Sequence, residues 1–320
     1  MKIGVIKPTY PHERRVALLP KHIQNNPTRI PGNIPNEIEL EAGFGSYLGI
    51  SDREYENCGI SIKSKSSIFE SNEIIFCMKL IQPEDYSMLR EGQTIIGWTH
   101  PTGSGIDFMK EQAIPKKLKI VDLDNIYPAG YYMNKKYPID FIPKNFIWKN
   151  SFNAGYCAMY DAMANFGRTL NHSDNIAILG CGNVSQGAAN YVGEYTDNVR
   201  MFNRKTMNEF YDNINKFNII VNGIETDGEP VITLAHQHKM QKGTLFIDAA
   251  ADPEHTVEGE HFTKWEDPIY LKDGVYFYCI NNAPSVLYRK TSEACSEAFC
   301  KYVFNFDLRK YIELFNKHID

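Results

Sequence analysis

The 320-residue sequence lacks any long uninterrupted apolar run. It begins MKIGVIKP, which has the pattern of a β-strand from its third residue onward. A membrane-spanning helix needs about 20 consecutive apolar residues, and a secretory signal needs a charged start followed by an apolar stretch. We therefore expect neither a membrane span nor a signal peptide, and we expect a cytoplasmic location.

The cysteines do not have the pattern of a disulfide framework. There are seven, an odd number, and they are scattered through mostly apolar segments. Small secreted domains carry even, closely spaced sets of cysteines. We expect reduced thiols, as in a cytoplasmic protein.

Concentrated positive charge is also absent. The formal net charge is -5, and hydrophobic residues at 43% with charged residues at 23% are typical of a globular protein. Nucleic acids and anionic membranes bind clustered lysine and arginine, so we expect small-molecule ligands instead. A chain of this length favours two domains, each with its own core.

Three common catalytic motifs are missing. The sequence contains no G-x-S-x-G elbow, no histidine spacing typical of a zinc site, and no cysteine in a basic setting. These absences argue against a serine hydrolase, a metal centre and a cysteine nucleophile. We expect no bound metal.

Apolar, β-rich segments alternate with longer amphipathic segments, which predicts strand–helix–strand units and largely parallel sheets of an α/β protein. A first series of strands is predicted within residues 1–150, and a second follows. The predicted strands are 2–7, 37–43, 73–80, 94–100 and 117–124, then 175–180, 198–203, 218–224, 243–250 and 275–281.

Two helices are predicted to connect the domains. Residues 150–170 place alanines at every fourth position, which indicates one helical face. In the tail, Thr291 and Ser292 precede Glu293 as a predicted helix cap, and this helix is expected to return to the first domain. We therefore predict a discontinuous substrate domain, 1–150 plus 286–320, and a cofactor domain, 151–285.

A glycine-rich turn follows the strand at 175–180. Gly180, Gly182 and Gly187 form G-x-G-x-x-S-x-G between this strand and a helical segment. Glycine permits a tight turn and the close approach of backbone N–H groups to a pyrophosphate at a helix N-terminus. A plain structural turn or an S-adenosylmethionine site would have similar glycines, but the order strand, turn, helix, strand favours a dinucleotide. The predicted contacts in the turn are Gly180, Gly182, Asn183, Val184 and Ser185.

The next strand ends without the acidic residue that binds the adenosine ribose in many NAD sites. Asn203, Arg204 and Lys205 stand there instead. A guanidinium and an ammonium attract a 2'-phosphate, which a carboxylate would repel. This pattern predicts NADP(H), although exposed loops commonly carry such charges for solubility alone.

Polar residues near the ends of first-domain strands are candidates for substrate chemistry. Arg14 and Arg15 follow the first strand, Lys79 lies on an apolar strand, and His100 closes the next one. An arginine can bind a keto-acid carboxylate, and lysine and histidine can transfer protons. Adjacent arginines are commonly surface charge, and a single histidine is commonly structural.

The second domain offers further candidates at its strand ends. Asp248 and Asp252 follow one strand, and Asn281, Asn282 and Ser285 follow the last. A carboxylate beside the nicotinamide or the substrate amine would suit the chemistry, but an aspartate that caps a turn is equally common. The asparagines can bind a carboxamide or the substrate.

Several segments together resemble the N5-(carboxyethyl)ornithine synthase family, within the larger group of alanine dehydrogenase and lysine-forming saccharopine dehydrogenase. The similarity extends over nearly the whole chain. The matching segments are 13–20, 76–101, 108–118, 148–156, 178–188, 199–206, 243–252 and 281–289.

The resemblance implies two Rossmann-like domains with an active-site cleft between them, and typically a homotetramer. It also implies NADPH-dependent condensation of pyruvate with the side-chain amine of L-ornithine or L-lysine through an imine. Arg15 matches the residue that holds the keto-acid carboxylate. Lys79 and His100 match the shared lysine and histidine, and Asp252 matches an aspartate near the nicotinamide.

Two other functions are consistent with the same residues. One is alanine dehydrogenase-like reductive amination, in which ammonia replaces ornithine. The other is an NADPH-binding sensor without catalysis, which would bind the cofactor but show no turnover.

Overall fold

The structure, a computed structural model, describes residues 1–24, 36–226, 228–253 and 255–316. The chain forms two compact units: unit 1 comprises Met1–Ile147 and Tyr288–Asp320, and unit 2 comprises Trp148–Leu287. Among the described residues, no helix has both the length and the apolar character needed to cross a membrane. All seven cysteines are thiols, as their number and spacing predict.

Unit 1 is built on a sheet with strands β1 (Lys2–Ile6), β2 (Glu37–Glu41), β3 (Ser61–Lys63), β4 (Ile74–Cys77), β5 (Thr94–Gly97), β6 (Lys119–Asp122), β7 (Ala129–Tyr132) and β8 (Lys135–Pro138). Their order is β3-β2-β1-β4-β5-β6-β7-β8. The first six strands are parallel, in the order of a doubly wound nucleotide-binding fold, and β7 and β8 are antiparallel. Ligands of such sheets bind at the carboxyl ends of the strands.

Unit 2 contains strands β9 (Ile176–Leu179), β10 (Val199–Phe202), β11 (Ile219–Asn222), β12 (Leu245–Asp248), β13 (Ile269–Lys272) and β14 (Val275–Tyr278). The order is β10-β9-β11-β12-β14-β13, with β13 antiparallel to β14 and the other pairs parallel. Strands β9, β11 and β12 are fully buried, because helices cover both faces of a parallel sheet.

The helices are α1 (Pro20–Gln24), α2 (Asp52–Glu56), α3 (Lys65–Ser71), α4 (Ile106–Phe108), α5 (Trp148–Asn165), α6 (Asn183–Gly193), α7 (Met207–Asp212), α8 (Leu234–Gln237), α9 (Tyr288–Phe299) and α10 (Arg309–Asn316). Helices α5 and α6 approach closely at two glycines. A Cβ on Gly155 would lie 1.8 Å from the carbonyl oxygen of Val184, and one on Gly187 would lie 1.8 Å from that of Phe152. The last glycine of the motif is therefore required for packing of α6 on α5.

All ten predicted strands are confirmed, and so is the helix predicted over 150–170. Four strands were not predicted: β3, β7, β8 and β13. Three of them are partly exposed, with no continuous apolar run, so their sequences lack the signal of a buried strand.

The predicted start of the tail helix is wrong. Helix α9 begins at Tyr288, so Ser292 lies inside it and is buried. The hydroxyls of Ser292 and Ser296 accept hydrogen bonds from the backbone N–H groups of Val16 and Leu19, each at 2.8 Å. These serines satisfy the extended segment before α1 instead of capping a helix. The last residues of the predicted tail pattern, 317–319, lie outside the described residues.

Candidate active site

In unit 1, polar side chains follow four neighbouring strands at their carboxyl ends. Arg15 comes after β1, Lys79 after β4, His100 after β5 and Asp124 after β6. Parallel strands end at the same edge of a sheet, so the topology brings these distant positions together. The structure thus places all three unit 1 residues predicted from sequence in one cluster.

Arg15 forms a buried ion pair with Glu13. Arg15 donates from Nε to Glu13 Oε1 at 2.9 Å and from Nη2 to Glu13 Oε2 at 2.6 Å, and its guanidinium carbon lies 4.8 Å from the centre of the Trp98 ring. Burial raises the pKa of Glu13, but the charge and hydrogen bonds of Arg15 outweigh burial and lower it to about 2. Arg15 therefore makes a bidentate contact with a carboxylate, as expected, but that carboxylate belongs to Glu13 of the chain itself.

Lys79 lies between aromatic rings. Its Nζ is 5.5 Å from the centre of the Tyr10 ring and 5.6 Å from that of Trp98. Burial lowers the pKa of Lys79, and the charge of Arg15 lowers it further, against the opposing charges of Asp124 and Glu13. The lowered pKa favours the neutral form of Lys79, which can act as a base.

His100 is paired with Asp124 through its Nε2. Burial lowers the pKa of His100, but the charge and hydrogen bond of Asp124 outweigh burial and raise it above its ordinary value. The same pair lowers the pKa of Asp124 to about 2, although burial acts in the opposite direction. The pair therefore favours a protonated imidazole, which is an acid.

The backbone at His100 is held in an unusual conformation. Its φ is 44°, in the left-handed region, which costs energy in a residue other than glycine. Buried Asp122 accepts hydrogen bonds from the backbone N–H groups of Thr99 at 3.0 Å and His100 at 3.3 Å. These bonds stabilise the turn that presents the imidazole.

Asp124 and Glu13 were not predicted as functional residues, and Asp122 was not predicted to support the turn at His100. A usable signal was present, because Asp124 ends the predicted strand 117–124, directly beside the strand that ends in His100. The rule that placed Lys79 and His100 at strand ends applies equally to Asp124.

In unit 2, the glycine turn between β9 and α6 has the geometry of an anion cradle. Gly180 has φ 92°, which favours glycine. A Cβ on Gly182 would meet no atom within 4 Å, so the turn is open at this point. Asn183 and Val184 begin α6, and the first N–H groups of a helix point toward an anion bound at its N-terminus. The turn therefore fits the pyrophosphate of a dinucleotide.

Ser185 has a different place from the one predicted. It is fully buried, and its hydroxyl donates to the carbonyl oxygen of Leu179 at 3.0 Å. A Cβ on Gly223 would lie 2.4 Å from this hydroxyl. The side chain of Ser185 thus binds α6 to the end of β9.

Asn203, Arg204 and Lys205 are exposed after β10. The side-chain oxygen of Asn203 accepts a hydrogen bond from the backbone N–H of Lys205 at 2.9 Å, a local turn typical of asparagine. Among the described residues, neither Arg204 nor Lys205 takes part in a salt bridge. Both cations follow β10, and the neighbouring strand of the sheet is β9, which leads into the glycine turn.

The other predicted residues of unit 2 lie after β12 and β14. Asp252 is half-buried and contacts His255 Nδ1 at 3.0 Å. Asn281 and Asn282 follow β14, and Asn282 has φ 70° at the start of a short 3-10 helix. Asn222, which was not predicted, ends β11 and donates to Asp248 Oδ1 at 2.8 Å.

Comparison with known proteins identifies the family. The N-terminal domain of the alanine dehydrogenase/PNT family matches residues 4–130, and its C-terminal domain matches residues 168–319. The N(5)-(carboxyethyl)ornithine synthase of Clostridium botulinum is 47% identical, over 98% of this chain and 97% of the relative. The enzyme of that name from Lactococcus lactis subsp. lactis is 48% identical, over 98% of each chain.

The chain belongs to the N(5)-(carboxyethyl)ornithine synthase family. This confirms the resemblance found in the sequence. The solved structure of an L-alanine dehydrogenase, 18% identical, has a TM-score of 0.77 and covers 97% of this chain and 91% of that chain. Its likeness confirms two Rossmann-like domains.

Membership of this family makes the chain an oxidoreductase that uses a nicotinamide cofactor. The open glycine turn at the start of α6 fits the cofactor's pyrophosphate. The cluster around Lys79 and the glycine turn thus lie at the carboxyl ends of parallel strands, the first in unit 1 and the second in unit 2.

Proposed function

We propose that this enzyme condenses pyruvate with the side-chain amine of L-ornithine, and also of L-lysine, and reduces the resulting imine with NADPH. The product is N5-(1-carboxyethyl)ornithine or, from lysine, the corresponding N6-substituted amino acid. Unit 1 is the proposed substrate domain and unit 2 the proposed cofactor domain. The observation that carries the proposal is the position of Lys79, next to Arg15 and the His100–Asp124 pair. Relatives that share 47% and 48% identity carry the name of such a synthase.

The charges of the cluster suit a keto-acid anion. Protonated His100 and Arg15 balance ionised Asp124 and Glu13, so the sum without Lys79 is zero. A substrate carboxylate adds one negative charge, which favours the protonated form of Lys79. The same substrate that Arg15 attracts therefore makes neutral Lys79 a better proton acceptor.

Proton transfer is the chemistry that these residues contribute. The neutral amine attacks the carbonyl carbon of pyruvate, and its proton must be accepted by a nearby base. The carbinolamine hydroxyl must then be protonated so that water leaves and the imine forms. We assign the acceptance of the amine proton to Lys79 and the donation to the leaving hydroxyl to protonated His100, because their pKa values lie on opposite sides of their ordinary values.

NADPH, when bound, supplies the hydride that reduces the imine carbon. The residues of unit 2 would bind NADPH at two places, its pyrophosphate and its 2'-phosphate. The glycine turn and the first turn of α6 would bind the pyrophosphate, and Arg204 and Lys205 would bind the 2'-phosphate. Asp252, Asn281 and Asn282 are the proposed contacts at the nicotinamide end.

The function is tested by NADPH oxidation with pyruvate and four separate amines: ornithine, lysine, alanine and ammonia. We expect turnover with ornithine and lysine, and a product whose mass equals the sum of the two substrates less water plus two hydrogens. Turnover with ammonia alone would support reductive amination of the alanine dehydrogenase type. Tight NADPH binding without turnover of any amine would support a sensor.

The preference for NADPH is tested separately with Arg204→Asp. Because a charge-assisted bond to phosphate is replaced by repulsion, we expect the Kd for NADPH to rise about 100-fold and that for NADH to change less than about threefold. Arg200→Asp is the matched control, since Arg200 lies on β10, four residues before Arg204, but pairs with Glu209. Equal weakening of both cofactors in Arg204→Asp would contradict the proposed phosphate contact.

A further inference from the structure

Unit 2 contains a second group of buried titratable side chains. One ligand-type atom from each of Asp248, Glu260 and Cys279 lies within 4.8 Å of the other two, and all three residues are buried. Glu260 has a relative exposure of 3%, and neither of its carboxyl oxygens receives a hydrogen bond from an N–H or O–H donor of a described residue. An ionised carboxylate without a donor or a cation is very costly inside a protein.

Asp248 has the donors that Glu260 lacks. Its Oδ1 accepts from Asn222 Nδ2 at 2.8 Å and from the backbone N–H of Ala250 at 3.2 Å. Its Oδ2 accepts from the backbone N–H of Asp252 at 3.2 Å and from the Cys279 thiol at 3.7 Å. A negative charge is therefore stabilised on Asp248 in preference to Glu260.

Apart from His261, the next residue in the chain, whose ring stacks on Tyr270, three titratable groups near Glu260 are acids. Asp248 lies at the end of β12, Cys279 directly after β14 and Tyr270 on β13. Burial, together with the charge of Asp248, raises the pKa of Glu260 to about 11. Burial likewise raises the pKa of Cys279 and of Tyr270. Asp248 therefore favours a proton on Glu260 at neutral pH, and neither Cys279 nor Tyr270 provides a positive charge that would oppose it.

The segment between Asp248 and Glu260 contains a strained residue. Ala251 has φ 54°, a conformation that persists only when surrounding contacts hold it. The N–H groups of its two chain neighbours, Ala250 and Asp252, both donate to Asp248. Asp248 thus fixes the turn that presents Asp252.

We propose that Glu260 is a protonated carboxyl group that donates a hydrogen bond to Asp248, and that this bond makes Glu260 a positioning residue for Asp252. Asp248 then accepts hydrogen bonds from groups at both ends of the segment 250–260. No bond other than the hydrogen bond forms, and the proton stays on Glu260. The consequence for catalysis rests on the proposed role of Asp252, whereas the protonation itself does not.

The protonation is tested by infrared spectroscopy of Glu260→Gln, which is nearly isosteric and can donate an amide N–H to Asp248. At about pH 8, well above the ordinary pKa of a carboxyl group, we expect the wild-type minus variant spectrum to contain the C=O band of a protonated carboxyl. A difference spectrum without this band would overturn the proposal. Stoichiometric zinc in the purified protein, lost in the variant, would overturn it as well.

The positioning role is tested with Glu260→Met, which has similar size but no donor. We expect kcat to fall about tenfold, the scale of one lost hydrogen bond to a charged group, with less than a threefold change in Glu260→Gln. In an Asp252→Ala background, the Glu260→Met substitution should have no further effect. Equal losses in Glu260→Gln and Glu260→Met, or additive losses with Asp252→Ala, would overturn this role.

A readout without turnover separates this proposal from the proposed function. Amide hydrogen exchange at Ala250 and Asp252 should be faster in Glu260→Met than in the wild type and in Glu260→Gln. Glu229→Met, at an exposed glutamate of the same unit, is the control and should leave exchange at both amides unchanged. Unchanged exchange in Glu260→Met would overturn the proposed positioning role of Glu260, even if the enzyme proved inactive with every amine.

Discussion

Two buried acidic sites in this molecule have opposite protonation states. In unit 1, Glu13 faces Arg15 and Asp124 faces His100, and the pKa of each carboxyl falls to about 2. In unit 2, Glu260 faces a second carboxyl group and has no hydrogen-bond donor among the described residues, and its pKa rises to about 11. Burial raises the pKa in all three cases, so the partner decides which form is present.

The two protonation states suit different roles, proton transfer in unit 1 and the support of a turn in unit 2. The ionised pairs of unit 1 lie around Lys79, whose pKa is lowered by burial, which favours the neutral, proton-accepting form of this lysine. The neutral carboxyl of unit 2 keeps its proton and holds a turn in place. Substitutions that remove one partner at a time test whether the two sites differ in this way.

The largest effect is expected for Lys79→Met. A missing acid–base group typically costs a factor of 10² to 10⁴, so we expect turnover to fall about 1,000-fold. The Kd for NADPH should remain unchanged, because the proposed cofactor contacts are in unit 2. Steady-state kinetics and a fluorescence titration measure the two quantities, with exposed Lys63→Met as the control. Turnover of Lys79→Met close to that of the wild type would remove the lysine from the proposed chemistry.

The second effect concerns stability and compares a buried ion pair with an exposed one. A carboxyl whose pKa is 4.5 unfolded and about 2 folded contributes about 3 kcal/mol above its unfolded pKa. We expect Glu13→Gln to lower the free energy of unfolding by about this amount at pH 7, as measured by urea denaturation. The wild type should lose the contribution as the pH falls from about 4.5 toward 2, because the folded pKa is the lower one.

Glu293→Gln is the control for that measurement. Glu293 pairs with Lys21 at 2.6 Å, but both side chains are more than half exposed, and such pairs contribute little. We expect a change below about 0.5 kcal/mol at every pH. Similar losses in the two variants would show that burial of the Glu13–Arg15 pair has no special effect.

The sequence predicts the sheets better than it predicts the electrostatics. Continuous apolar runs such as 73–80 and 175–180 predict buried strands, because burial on both faces excludes polar residues. Lys79 and His100 are found by the rule that strand ends meet at one edge. The partners Glu13 and Asp124 are harder to find, since a pair depends on side-chain directions that no periodicity records.

The same limit explains the residues that were assigned differently. Ser185 and Ser292 have hydroxyls that suit a cofactor contact and a helix cap, yet each one binds a backbone group of a neighbouring segment. The proposed protonation of Glu260 depends on Asp248, twelve residues earlier in the chain, and on the lack of a hydrogen-bond donor to Glu260 in the part of the chain that the structure describes. Contacts of this kind appear only once the chain is folded.

The smallest of these effects is expected for Asp124→Asn, which removes the charge that holds a proton on His100. Because Asp124 raises the pKa of His100, the substitution should lower it, and an NMR titration of the imidazole should shift to lower pH. If protonated His100 is the acid of the reaction, the alkaline limb of the kcat profile shifts in the same direction, with about a tenfold loss at pH 7. Exposed Asp107→Asn should change neither curve. A His100 titration that stays in place in Asp124→Asn would show that this pair, unlike Glu13 and Arg15, does not set the protonation state, and the contrast between the two units would then rest on Glu13 alone.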